Sequence, residues 1–213
     1  MIRNLKFAAI AAAVAVMAAL GVTSISGADT AEFHCSVEPC SITAKPDGTG
    51  TTAHHVIDLY GGGGGSFSTT CSTVTGEATA KGKAFSEITV TNIVGSGCSV
   101  LGQSAELKMN GCDYLLKSAG TLTISCPVGK EIEAGTKSAC LYFIPAQGPL
   151  KGVSFHNVGV GEVTVEMAIN EIMATASNCG GISGTVNAQF TTGNTLLTAE
   201  TDPGGFKASL SFA

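Results

Sequence analysis

Eight cysteines, Cys35, Cys40, Cys71, Cys98, Cys112, Cys126, Cys140 and Cys179, constrain this chain more than any other feature. All of them follow an N-terminal segment that reads as an export leader. Arg3 and Lys6 precede fourteen uncharged residues, Phe7 to Leu20. That run is short of the roughly 20 residues a membrane span needs. Small residues at Ser26 and Ala28 suggest cleavage after Ala28, with a neighbouring site as the alternative. Left uncleaved, the segment would be a signal anchor, and its shortness argues against that. An even cysteine count in an exported chain reads as four disulfides, because an oxidising compartment sustains them.

Spacing narrows the pairing. Cys98, Cys112, Cys126 and Cys140 recur every fourteen residues. Turn-like residues lie midway between neighbours, at Gly102-Gln103-Ser104-Ala105, Ser118-Ala119-Gly120 and Glu133-Ala134-Gly135. Residues equidistant from a hairpin turn oppose each other within bridging distance. On this logic Cys98–Cys112 and Cys126–Cys140 are the favoured pairs. Cys112–Cys126 is the competitor, and it would send Cys98 and Cys140 elsewhere. Cys35–Cys40 closes a short loop around Val37-Glu38-Pro39, leaving Cys71–Cys179 to join early and late chain.

Period-two alternation dominates after the leader. It runs over Phe85–Val94, Glu106–Asn110, Asp113–Lys117, Thr121–Ser125, Thr185–Phe190, Thr195–Thr201 and Phe206–Phe212. Cys140 to Ile144 is unbroken apolar and predicts a central strand that ends at Pro145. In Glu162 to Ala176, residues Val163, Val165, Met167 and Ile169 share one face. Ile172, Ala174 and Ala176 then continue on the other parity, so a β-bulge is expected at Asn170-Glu171. A helix over Glu162–Ala174 is the alternative. The five glycines Gly61–Gly65 read as a connection between strands; no Lys-Ser/Thr follows them to make a phosphate loop. The expected fold is all-β, a single antiparallel β-sandwich or flattened barrel of ten to twelve short strands. Its organisation is a signal peptide, 1–28, and one domain, 29–213, with 29–65 as a candidate hairpin subregion.

Charge and composition restrict partners. Removing residues 1–28 takes away the only arginine and no acid, leaving nine lysines against sixteen acids. Such a field opposes binding to nucleic acid or anionic membrane. The C-terminal GGFKASLSFA has no apolar tail, so no stable membrane anchor is expected after cleavage.

Catalytic and metal chemistry find little purchase. The histidines are His34, His54, His55 and His156. His54 and His55 are adjacent and point to opposite faces of a strand. Ser154 and His156 share a face, but i, i+2 residues stand about 6.5–7 Å apart, loose for a nucleophile and its base. Glu162 and Glu166 are about 13 Å apart along a strand, beyond a glycosidase pair. No CxxC occurs, and only His34-Cys35 with Cys40 resembles half a zinc site. Lys45-Pro46-Asp47-Gly48 offers calcium a single acid. No catalytic, metal or cofactor residue is therefore assigned.

The stretch from Thr91 to Ile144, with TNIVGSGC, MNGCDYLL and SCPVGKEI and ending in FIPAQ, resembles a family of small exported proteins from high-GC Gram-positive bacteria. The resemblance implies an exported location and a cysteine-containing β architecture, and no activity, ligand or catalytic residue. The expected function is a non-catalytic binding or structural module of the cell envelope or extracellular space. A secreted hydrolase and a secreted inhibitor presenting a rigid loop, Cys35–Cys40 or Gly61–Gly65, are the alternatives.

Overall fold

The computed structural model describes residues 31–46, 55–60, 66–80, 82–193, 195–201 and 206–213. The leader, His54 and Gly61–Gly65 lie outside these residues. The described chain is all-β and antiparallel, with no helix. It forms twenty-one strand segments, more than the ten to twelve expected, because corners and bulges cut strands into pieces.

Two large sheets and one small one make up the sandwich. The first sheet runs, edge to edge, through Val153–Val158, the start of Glu162–Cys179, Thr195–Thr201, Cys40–Pro46, Thr73–Ala80, Glu87–Ser96, Asp113–Lys117, Thr121–Ser125 and Gln147–Lys151. The second runs through Glu106–Lys108, Ile132–Thr136, Cys140–Ile144, the rest of Glu162–Cys179, Ile182–Thr192, His55–Tyr60, Ser66–Cys71, Ser99–Val100 and Gln103–Ser104. Cys40–Pro46 and His55–Tyr60 thus lie in different sheets, and the glycine run separates two strands that pair with each other, Tyr60 opposite Ser66.

The edges of each sheet are successive pieces of one strand, joined at Gly152 in the first and at Ala105 in the second. Neighbouring Cα atoms are only ~3.8 Å apart, so each sheet must curl until its edges nearly meet. No ladder joins them, and neither sheet closes into a barrel. Gly152 makes the first corner. Its φ is 114°, and an added Cβ would lie 2.2 Å from the Ala168 carbonyl oxygen, so no other residue fits. At the far end of Gln147–Lys151 from that corner the Gln147 amide accepts from the Met173 N–H and donates to the Met173 carbonyl, both at 2.9 Å.

Glu162–Cys179 belongs to both sheets, which settles the helix alternative in favour of strand. Val163, Val165, Met167 and Ile169 are buried, then Ile172, Ala174 and Ala176. The phase changes at Asn170-Glu171, where the register slips and Glu171 takes a φ of 70°. A strand crossing between sheets must turn, and the extra residue keeps its apolar side inward through the turn. The interior is continuous: Tyr114 of the first sheet meets Phe190 of the second with ring centroids 6.1 Å apart. The small sheet, Leu210–Phe212, Phe33–Cys35 and Ala84–Phe85, adds Phe33, Phe85 and Phe212 to an aromatic cluster with Phe155.

All eight cysteines are bridged, with partners that differ from the favoured set. Cys35–Cys40 is as expected; the others are Cys71–Cys98, Cys112–Cys126 and Cys140–Cys179. Of the three midpoints, only Ser118-Ala119-Gly120 is the turn of a hairpin joining two cysteines; Asp113 opposes Ser125, which brings Cys112 onto Cys126. Cys98–Cys112 fails because the chain turns earlier, at Leu101-Gly102, so that the Ala105 N–H meets the Cys98 carbonyl. Cys126–Cys140 fails because Glu133-Ala134-Gly135 is itself strand, and Thr136 opposes Cys140. Cys71–Cys179 is replaced because non-consecutive strands lie side by side. Thr70 opposes Ser99, extending to Cys71 and Cys98, and Leu141 opposes Ser177 next to Cys140 and Cys179.

Candidate functional site

The sequence-derived candidates fall on open faces. His34 is exposed on the small sheet, between Ala84 and Ser211. Ser154, His156, Glu162 and Glu166 share one outer patch of the first sheet, since Ser154 opposes Glu166, His156 opposes Thr164 and Val158 opposes Glu162. His156 and Glu166 are exposed and Glu162 half-buried. Alternation brings these four together on a sheet face; Glu162 also lines a concavity with Lys45, Glu200 and Lys207, which Ser154, His156 and Glu166 do not reach. The Ser154 hydroxyl is directed to the Glu166 carbonyl, 3.5 Å across the ladder, and not to His156. Of His55 only the backbone place is described, opposite Cys71 and Thr192. Among the described residues no three His, Cys, Asp or Glu side chains are grouped to hold a metal.

Among the described residues, the first sheet also holds an apolar slot of about 40 Å³. Ala44, Val90, Ile93, Leu116, Val165 and Met167 wall it, with Tyr114 alongside. Burial pushes the Tyr114 phenol far above its ordinary value, so it stays protonated. Thr75, Thr192 and Thr195, all at least partly exposed, stand where the slot meets solvent. Thr192 Oγ1 accepts the Met167 N–H at 3.0 Å, which fixes that oxygen and leaves the hydroxyl hydrogen to donate.

One wall of the slot is shaped by a second bulge. Thr75 opposes Val94 and Glu77 opposes Thr91, so Asn92 and Ile93 together face Gly76. Asn92 takes a φ of 50°, and its amide is tied to the Glu77 carboxylate at 3.0 Å. The extra residue turns Ile93 inward beside Val90, both buried, where plain alternation would send one of them out. A Cβ on Gly76 would lie 2.5 Å from Val90 Cγ1, so the two apolar side chains occupy space that only glycine leaves.

Sequence reasoning missed the slot. Alternation marks which residues face inward, but not where a curled sheet leaves room between them. The signal that was present is the pair Gly76 and Asn92, a small residue and a left-handed-tolerant one, each inside a strand pattern.

No family model, curated protein or solved structure matches the chain.

Proposed function

We propose that the protein is exported and acts outside the membrane as a non-catalytic, disulfide-braced binding or structural module of the cell envelope or its surroundings. The observation that carries this reading is the complete oxidation of its cysteines into four bridges within one fold, a state that oxidising compartments sustain and reducing ones do not. The apolar leader and the resemblance to small exported proteins of high-GC Gram-positive bacteria support the same location. The bridges tie strand to strand, so the sheets present rigid faces, which suits recognition more than a chemistry that needs moving parts.

The hydrolase reading requires Ser154 to leave the Glu166 carbonyl and meet His156, two residues along the same strand face. An inhibitory role for the Cys35–Cys40 loop rests on its exposed Glu38 and Pro39. Neither carries as much as the bridges do.

Intact mass of the exported protein, before and after reduction, tests the proposal. Expected are loss of residues 1–28 and a gain of eight hydrogens on reduction. A retained leader, or free thiols before reduction, would overturn the location. Turnover of an ester, peptide or glycoside that disappears in Ser154→Ala or His156→Ala would overturn the non-catalytic part.

A further inference from the structure

We infer that the slot in the first sheet is a binding site for the end of a straight alkyl chain carried by an uncharged amphiphile, a primary alcohol or its ester. The inference deepens the reading of a binding module and rests on it for where such a ligand is met. Size sets the first limit. About 40 Å³ is well under the ~150 Å³ of a cavity that takes benzene, so a ring is excluded. Because a single water needs about 10–15 Å³, the slot admits about three water-sized groups, that is, about three carbons of a chain.

Lining sets the second limit. Water held there would need two to four polar partners, and the walls are Ala44, Val90, Ile93, Leu116, Val165 and Met167. An alkyl end satisfies those walls. The mouth sets the third. It is presented by Thr75, Thr192 and Thr195, and among the described residues no charged side chain lines the slot. Thr192 keeps a hydrogen to donate, which suits a neutral oxygen at the point where the chain emerges. A carboxylate or phosphate head would meet hydroxyls without a cation among the described lining residues, on a leader-free chain whose nine lysines stand against sixteen acids.

The slot is also built and not left over. The Asn92 bulge places Ile93 in its wall, and the Glu77 carboxylate holds that bulge in its left-handed conformation. Bulges recur where a strand must re-aim a side chain toward a site.

The test is titration of the oxidised, leader-free protein with methanol, ethanol, 1-propanol, 1-butanol and 1-octanol, and with cyclohexanol and octanoate for comparison. Methyl resonances of Val90, Ile93, Leu116 and Val165 are followed by NMR. Saturable shifts confined to these methyls are expected with the straight alcohols. Each methylene that enters the slot strengthens binding about fourfold, and the gain stops once about three carbons are housed. Cyclohexanol and octanoate bind at least tenfold more weakly than 1-octanol. Ala44→Leu, which fills the slot from its wall, lowers the affinity for 1-octanol at least tenfold.

Unmoved methyls, equal binding of cyclohexanol, or unchanged affinity in a folded Ala44→Leu protein would overturn the inference. So would shifts that never saturate, the mark of partition onto general apolar surface. Should Ala44→Leu fail to fold, the straight-chain and ring comparison on the unaltered protein decides alone. Failure of the broader reading shows separately, as a retained leader or free thiols.

Discussion

At the scale of single residues, the fold depends on a few positions where no other side chain can stand. Gly152 is the clearest, with its φ of 114° and its contact with the Ala168 carbonyl at the corner of the first sheet. Gly152→Ala is expected to lower stability by about 2 kcal/mol or more, read from the denaturant midpoint. A change within a few tenths of a kcal/mol would mean that the corner is made elsewhere. Tyr142 makes the opposite case. Its ring is fully buried in the second sheet, burial pushes its phenol far up with the neighbouring Thr69 hydroxyl opposing that shift, and the two buried hydroxyls make no well-formed hydrogen bond among the described residues. Replacing a buried hydroxyl that makes no strong bond costs little, so Tyr142→Phe is expected to stay within about 1 kcal/mol of the parent or to stabilise it. A loss of several kcal/mol would reveal a bond to that hydroxyl that the structure lacks.

At the scale of elements, two bulges do the steering. The one at Asn170-Glu171 lets Glu162–Cys179 serve both sheets, and the one at Asn92 shapes the slot. Deleting Asn170 would put Ile172, Ala174 and Ala176 on the wrong face. Loss of the cooperative thermal transition and of near-ultraviolet dichroism is the expected result. Glu171→Gly relieves a left-handed conformation at the same place and is expected to be neutral or to stabilise by up to ~1 kcal/mol. A deletion variant that melts like the parent would show that the phase change is not set here. The first bulge was legible in the sequence, because the apolar parity of Val163–Ile169 and Ile172–Ala176 visibly changes. So were the Ser118-Ala119-Gly120 hairpin and the interior position of Cys140–Ile144, which lies between Ile132–Thr136 and the long strand. The Asn92 bulge was not, since Val90 and Ile93 sit in a run, Ile88 to Val94, that also reads as ordinary alternation. Its cue lies in the partner strand, at Gly76.

At the scale of the whole molecule, the disulfides connect what the sheet order brings together. That order explains why three of the four expected bridges were wrong. Local spacing identifies partners only when consecutive strands form a hairpin, as around Cys112 and Cys126. Cys71–Cys98 and Cys140–Cys179 join strands that become neighbours only through the global topology, 27 and 39 residues apart in sequence. Nothing in their immediate surroundings encodes that. In the chain-entropy estimate, removing the Cys140–Cys179 bridge costs about 4 kcal/mol, and removing Cys35–Cys40, which closes five residues, costs about 2 kcal/mol. Denaturation of the two double-serine variants measures the difference, and a larger loss from Cys35–Cys40 would contradict that ranking.

The pairing itself tests the architecture most directly, because every bridge reports which strands are neighbours. Mass spectrometry of peptides from the non-reduced, oxidised protein should recover Cys35–Cys40, Cys71–Cys98, Cys112–Cys126 and Cys140–Cys179 as linked pairs. Recovery of Cys98–Cys112 with Cys126–Cys140 would contradict it, since the curled two-sheet order keeps those residues apart.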